Sequence, residues 1–399
     1  MPILRAEHIY KIFGPHPQEA LQMAQQGKTR QEIQDQTGHT LGVADVSFEV
    51  EQGEIVVVMG LSGSGKSTLV RCLNRLMEPT AGRVFIEDDE VTQMGRRELL
   101  HLRRHKAGMV FQQFALFPHR TVVDNVAYGL EITGEMNKKQ RREKAMKAIE
   151  LVGLKGWADQ LPSSLSGGMQ QRVGLARALA ADPKIILMDE ALSALDPLIR
   201  KDMQNELIEL QRNLNTTIVF ITHDLDEAIH LGDRIVLMKD GWVVQQGTAE
   251  EILTNPANRY VERFVEDVDM TEIMSAQTVM RKVRQVAFPS DGPRTVLTKM
   301  REAGLSNMFV VDTNWKLKGI ANAEHVAKLT QQPEHERKGA AWYSSEPKRI
   351  SPETPLSSIV PMMAESHEPV AVVDEKDRLK GVIVLGALLG GLAEGVKQR

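Results

Sequence analysis

The octapeptide GLSGSGKS (Gly60–Ser67) constrains this chain more than any other segment. It follows the continuously apolar run Ile55–Met59 and precedes a stretch with helix-forming composition. A short unbroken apolar run reads as a strand buried on both faces. Glycines then let the backbone fold so that its N–H groups converge on phosphate oxygens, and a helix start adds its positive end. The spacing fits G-x-x-x-x-G-K-S in full. Gly60, Ser62, Gly63, Ser64, Gly65, Lys66, Ser67 and Thr68 are therefore the candidate phosphate-binding residues. Lys66 supplies a mobile charge, and Ser67 a hydroxyl suited to Mg²⁺.

Three more apolar runs, Ile185–Met188, Ile218–Ile221 and Arg234–Met238, alternate with helical patterns. That alternation predicts an α/β core with a mainly parallel sheet. The run IILMDE (Ile185–Glu190) ends in two acids. Asp189 is placed to hold Mg²⁺, and Glu190 to polarise an attacking water; an acid pair capping a helix is the plainer alternative. Residues 98–179 read as a helical subdomain inserted into the sheet domain. The polar segment Pro15–Gly42 carries two short helical patterns broken at Gly27 and reads as a packed insertion.

The chain has 399 residues, enough for two or three domains. Its net charge of −4 argues against a nucleic-acid partner, which needs a basic face. From residue 270 onward there are 18 Lys+Arg against 15 Asp+Glu, so the tail is mildly basic on an acidic body. One cysteine, Cys72, excludes a disulfide framework. The longest apolar stretch, Gly381–Ala393, falls well short of the ~20 residues that span a bilayer. The expectation is a cytoplasmic polypeptide whose membrane attachment goes through a partner. A second phosphate-cradle pattern, LSGGMQQR, places Ser166, Gly167 and Gly168 before a helix; alone it reads as a helix cap.

Taken together and in order, GLSGSGKS, VFQQ, LSGGMQQR, MDE, SALD and ITHD resemble the ATP-binding-cassette family over residues 3–247. The resemblance implies a P-loop NTPase core with a helical subdomain, ATP and Mg²⁺ as ligands, and a head-to-tail homodimer. In such a pair Ser166, Gly167 and Gly168 of one copy cap the nucleotide held by the other. It also implies Gln112 as a catalytic and Mg²⁺-touching residue, with Gln113 the alternative. Asp196 would link the two sites, and His223 would contact the γ-phosphate. Phe13 would stack on adenine, with Tyr10 as rival. Phe114–Ile132 would form the groove for a transmembrane permease.

Residues 309–329 and 371–391 form a weak internal repeat at an offset of 62, each with an apolar strand, an Asp, a turn, Leu-Lys-Gly, a second strand and a helix. This tail resembles a tandem pair of cystathionine-β-synthase (CBS) domains. The expected boundaries are 1–270 for the ATPase domain, 271–332 for the first CBS domain and 339–399 for the second. The whole then resembles the ATPase subunit of a glycine betaine/proline betaine importer. Such a subunit sits at the cytoplasmic face of the inner membrane, served by an external binding protein through the permease. The solute is read by those other polypeptides. An importer for another small solute, or a non-transport cassette ATPase, is the alternative. The tail is a candidate site for a regulatory ligand or an anionic lipid. Asn322-Ala323 and Leu385-Gly386 stand where nucleotide-binding CBS domains carry Ser/Thr followed by Asp.

Overall fold

In the computed structural model, residues 2–112, 114–266, 271, 274–331, 341–344, 346–366 and 368–389 are described. The chain forms two compact units, 1–265 and 266–399.

The first unit runs β1 (Pro2–Phe13), α1 (Gln18–Gln25), α2 (Arg30–Thr37), β2 (Thr40–Glu51), β3 (Ile55–Met59), α3 (Lys66–Leu73), β4 (Ala81–Ile86), β5 (Asp89–Glu90), α4 (Arg96–His105) and β6 (Ala107–Val110). It continues with α5 (Val122–Thr133), α6 (Lys138–Leu151), α7 (Gly167–Ala180), β7 (Ile185–Asp189), α8 (Pro197–Leu214), β8 (Thr217–Thr222), α9 (Leu225–Leu231), β9 (Arg234–Lys239) and β10 (Trp242–Gly247). The apolar run Ile55–Met59 becomes β3, hydrogen-bonded in parallel to β8 on one side and β9 on the other. The sheet has six strands in the order β10-β9-β3-β8-β7-β6. All five residues of β3, all five of β7 and all six of β8 are buried, as expected of strands covered on both faces.

Two differences from the sequence pattern stand out. First, an antiparallel sheet of four strands, β2-β1-β4-β5, lies beside the main one, and α3 is buried in the core between them. Leu69, Val70, Cys72 and Leu73 of α3 pack there with residues of both sheets, including Leu4, Phe48, Val58 and Val219. Second, the stretch 98–179 is not helical throughout. It contains β6, which pairs in parallel with β7 at the sheet edge. Four residues, one of them glycine, are too few to print a strand period, so only the neighbouring strand reveals β6.

The insertion between residues 15 and 42 is the connection of the β1–β2 hairpin, whose last register pair is Phe13↔Thr40. Its two helices are separated at Gly27, which has φ +79°. Ala20, Ala24 and Ile33 pack on Tyr10, Ile12, Leu41 and Ala44, so the insertion owns a small core against the hairpin.

The second unit holds both repeat copies. In the first, helix Pro293–Ala303 leads to β11 (Asn307–Val311) and β12 (Leu317–Asn322). In the second, β13 (Arg349–Ile350) and helix Leu356–Glu365 lead to β14 (Val370–Val373) and β15 (Leu379–Ile383). The copies meet through their turns. Leu317 N donates to Asp377 O at 2.9 Å, and Leu379 N donates to Trp315 O at 2.9 Å. These partners are related by the same offset, and Trp315 (φ 63°) and Asp377 (φ 64°) share a left-handed backbone. Phe309, Val311 and Leu317 of one copy share a core with Ala371, Val373 and Leu379 of the other. The notional division between copies, residues 332–339, lies outside the described residues, as does the end of the second copy beyond 389.

Candidate active site

The loop between β3 and α3 is held in shape by its own backbone. Gly60 (φ +148°) and Gly65 (φ +101°) adopt angles that a side chain resists, and a Cβ at either would strike backbone, at Met238 O and Gly42 O respectively. Ser64 N donates to Leu61 O at 3.1 Å, and Gly241 N donates to Ser64 O at 3.0 Å. Arg30 of α2 donates from Nη1 to Gly63 O at 2.8 Å. Ser62 and Gly63 are exposed, while Ser67 and Thr68 sit half-buried in the first turn of α3.

Lys66 is only 4% exposed. Its Nζ donates to Gly60 O at 2.8 Å and Leu61 O at 3.0 Å. Burial pulls the ammonium below the usual lysine range, opposed by the negative charges of Glu190 and Asp189. Among the described residues the Ser64 hydroxyl is buried without a hydrogen-bond partner, an acceptor-seeking group at the loop. Both observations fit an anion, since a desolvated cation and an unpaired donor gain most from phosphate oxygens.

The strand end at Asp189–Glu190 faces this loop. Asp189 is buried and ion-paired with Arg71 at 3.1 Å, a partner on α3 that no sequence motif pointed to. Glu190 takes a positive φ of 45°, which a non-glycine residue adopts at a cost of order 1–3 kcal/mol. That turn aims the carboxylate into a cluster. Glu190 Oε2 accepts from Gln112 Nε2 at 3.1 Å, while Oε1 lies 3.7 Å from His223 Nδ1 and 4.0 Å from Lys66 Nζ. The structure thus brings together Lys66, Gln112, Asp189, Glu190 and His223 from four different loops. Gln113, the alternative to Gln112, lies outside the described residues. Gln112 also donates to Ser193 Oγ at 3.4 Å.

Other candidates lie elsewhere. Ser166 caps α7, its hydroxyl accepting from Met169 N at 3.4 Å. A Cβ at Gly167 would be 3.8 Å from Phe114 Cζ, and one at Gly168 would be 2.7 Å from Ile199 Cγ2. Among the described residues no hydrogen bond links Ser166, Gly167 or Gly168 to residues 60–68 of the same chain. Asp196 caps α8, accepting from Ile199 N at 3.2 Å. Phe13 at the end of β1 is 39% exposed, whereas Tyr10 is 7% exposed and buried in the insertion's core.

Comparison with known proteins agrees with this geometry. A model of the ABC transporter family matches residues 43–193, and a model of the CBS domain matches 342–394. The chain is 52% identical over 98% of its length to the glycine betaine transport ATP-binding protein OpuAA of Bacillus subtilis, covering 92% of that protein. It is 47% identical over 98% of its length to the glycine betaine/proline betaine transport system ATP-binding protein ProV of Escherichia coli, covering 98% of it. Among solved structures, a dimeric ATP-binding cassette in a post-hydrolysis state bound to ADP and Pi is 32% identical, with a TM-score of 0.53 over 62% of this chain and 98% of that one. No described helix is long and apolar enough to cross a membrane. With a phosphate loop, an acidic strand end and a glutamine and histidine gathered on one carboxylate, the chain belongs to the ABC transporter family of ATPases, in the branch that holds the glycine betaine transport ATP-binding proteins.

Proposed function

We propose that this chain is the ATP-hydrolysing subunit of an importer for glycine betaine, proline betaine or a related quaternary amine, working as a head-to-tail homodimer. The observation that carries the catalytic half is the convergence of Lys66, Gln112 and His223 on the Glu190 carboxylate. The relatives' names support the choice of solute.

In this reading Lys66 exchanges its Gly60 and Leu61 carbonyl partners for the β- and γ-phosphate oxygens of ATP. The Glu190 carboxylate orients a water and takes its proton as the water oxygen bonds to the γ-phosphorus. The bond from that phosphorus to the β–γ bridging oxygen breaks, leaving ADP and phosphate. Gln112 and His223 hold the water and the γ-phosphate in line. Ser67, Gln112 and Asp189 offer hydroxyl, amide and carboxylate oxygens, a donor set that suits Mg²⁺. Bound Mg²⁺ supplies charge neutralisation on the phosphate oxygens. Phe13 is the exposed aromatic placed to stack on adenine.

Ser166, Gly167 and Gly168 form a second set of donors at the start of α7 and have no hydrogen bond to their own phosphate loop among the described residues. A partner copy is the natural recipient. ATP then favours the closed pair because only there do both sets engage it, and a ligand shifts an equilibrium by its differential affinity. Asp196, beside this loop, would link the two sites. Residues 114–132 are the candidate docking groove for a transmembrane permease; in this reading the subunit sits at the cytoplasmic face of the membrane, and solute capture falls to an external binding protein. The tail, as paired CBS modules, is a candidate regulatory element. Attraction of its mild positive charge to anionic lipid would weaken as salt shortens the Debye length from ~10 Å at 0.1 M to ~3 Å at 1 M.

Two measurements test the reading. Copies carrying Lys66→Ala and copies carrying Ser166→Arg should each be inactive, yet recover turnover when mixed, because a mixed pair holds one intact composite site. No recovery, or full activity of Ser166→Arg alone, overturns the dimer. Cells lacking this chain should lose high-affinity uptake of glycine betaine or proline betaine. Unchanged uptake would favour a non-transport ATPase or a different solute.

A further inference from the structure

The insertion between residues 15 and 42 supplies no group to the proposed reaction, yet on that ATP-binding reading it touches the nucleotide site at both ends. At one end Phe13 and Thr40 pair where the hairpin opens. His39 fastens the opening by contacting Pro15 O at 2.6 Å and Thr37 O at 2.9 Å through its two ring nitrogens. At the other end Arg30 reaches the phosphate loop, 33 residues along the chain, and donates to Gly63 O at 2.8 Å.

We propose that Arg30 is a positioning residue for the phosphate loop, and that through it the insertion sets how tightly the loop holds ATP. Its placement is built rather than incidental. Arg30 is the first residue of α2, and that helix start is fixed by a reciprocal cap in which Thr29 and Glu32 satisfy each other's backbone N–H groups. The body behind it is anchored by Ile33, which is fully buried in the insertion's core. The acceptor is chosen by geometry. Gly63 lies at a positive φ of 79° in an exposed turn, so its peptide has no neighbouring secondary structure to pin it. Gly241 N holds the next carbonyl, that of Ser64. Arg30 and Gly241 together therefore brace two successive carbonyls of the loop, those of Gly63 and Ser64.

Charge points the same way. Among the described residues no carboxylate pairs with Arg30; the neighbouring ion pair is made by Lys28 with Glu32 instead. A guanidinium without a counter-charge beside the loop also attracts the phosphates held inside it. A hydrogen bond from a charged donor is stronger than one from a neutral donor, and partial solvent exposure of Arg30 trims it, so removal should weaken ATP about five- to tenfold.

The test uses the full chain. ATP affinity by equilibrium binding, with KM and kcat from phosphate release, is compared for wild type, Arg30→Ala and Arg30→Lys. Arg30→Ala should raise Kd and KM together by about five- to tenfold while kcat stays within about twofold, and Arg30→Lys should recover most of the loss. Hydrogen exchange should speed up at amides 61–65 in Arg30→Ala and stay unchanged in β3. Gln31→Ala, which removes only a bond to Asp35 on the same helix, should leave affinity as it was. Lys66→Ala, which abolishes binding by losing the loop's own cation, shows that the assay reads this site. Unchanged affinity in Arg30→Ala, a kcat loss as large as the KM change, or a lysine variant no better than alanine would each overturn the proposal.

Discussion

Gln112 Nε2 donates to Glu190 Oε2 at 3.1 Å, across 78 residues of sequence. The contact ties the segment leaving edge strand β6 to the end of β7, and it holds the carboxylate between the Gln112 amide and the Lys66 and His223 nitrogens on its other oxygen. Replacing Glu190 by Gln keeps the shape and removes the proposed proton acceptor. Loss of a general base typically costs 10²–10⁴ in rate. Phosphate release by Glu190→Gln should fall by about that factor, with ATP affinity retained and ATP-bound dimers accumulating on size-exclusion chromatography.

Phe13 and Tyr10 make opposite demands on the same strand. Phe13 is 39% exposed, with Lys11 Nζ 5.4 Å from its ring centroid, whereas Tyr10 is 7% exposed. Stacking of a base on an aromatic is worth ~1–3 kcal/mol, so Phe13→Ala should weaken ATP about tenfold or more with little change in melting temperature. Truncating a large buried side chain costs ~3–5 kcal/mol, so Tyr10→Ala should lower thermal stability sharply instead. Nucleotide titration and calorimetry on the two variants separate the roles.

Cys72 is fully buried on α3, and burial pushes its thiol up to about 12 from an ordinary 9.0. The thiolate is disfavoured in the fold, so the thiol's contribution to stability is complete below pH 9 and is lost as pH rises toward 12. A thiol-specific chromogenic reagent at pH 8 should leave the native protein untouched and label one cysteine per chain after denaturation.

In the tail, the backbone N–H of Arg378 holds the Asp374 carboxylate down to about 2, helped by the Arg378 side chain and the N–H of Lys376. A depressed carboxylate stabilises the fold above its unfolded value near 3.8, and that contribution fades as pH falls toward 2. Asp374→Asn should therefore lower the melting temperature of the tail at pH 7. The gap to wild type should narrow below pH 4 and close near pH 2, followed by near-ultraviolet circular dichroism.

Much of the first unit was readable as a string. β3, β7, β8 and β9 announce themselves because both faces of an inner strand of the sheet are buried, so each carries an unbroken apolar run of at least four residues. The phosphate loop is legible for a related reason: its shape is local, set by glycines and a following helix. By contrast, β1 and β2 are long, bulged strands with mixed burial along their length, and their pairing skips register at several points. Their sequence carries no clean period. β6 is shorter still and exists because β7 offers it an edge.

Sequence alone thus determined the class of the fold, the nature of the ligand and the repeat in the tail. Each is written in contiguous residues whose spacing has one physical use. Tertiary structure alone decided which groups share a site. Gln112, Asp189, Glu190 and His223 meet because parallel strands deliver their C-terminal ends to one edge of the sheet, a consequence of pairing that no local pattern encodes. It also decided that Phe13 faces outward while Tyr10 is buried, and that Arg30 of a polar insertion reaches Gly63. The reason is the same in each case: contacts between residues far apart in the chain follow from how the elements pack.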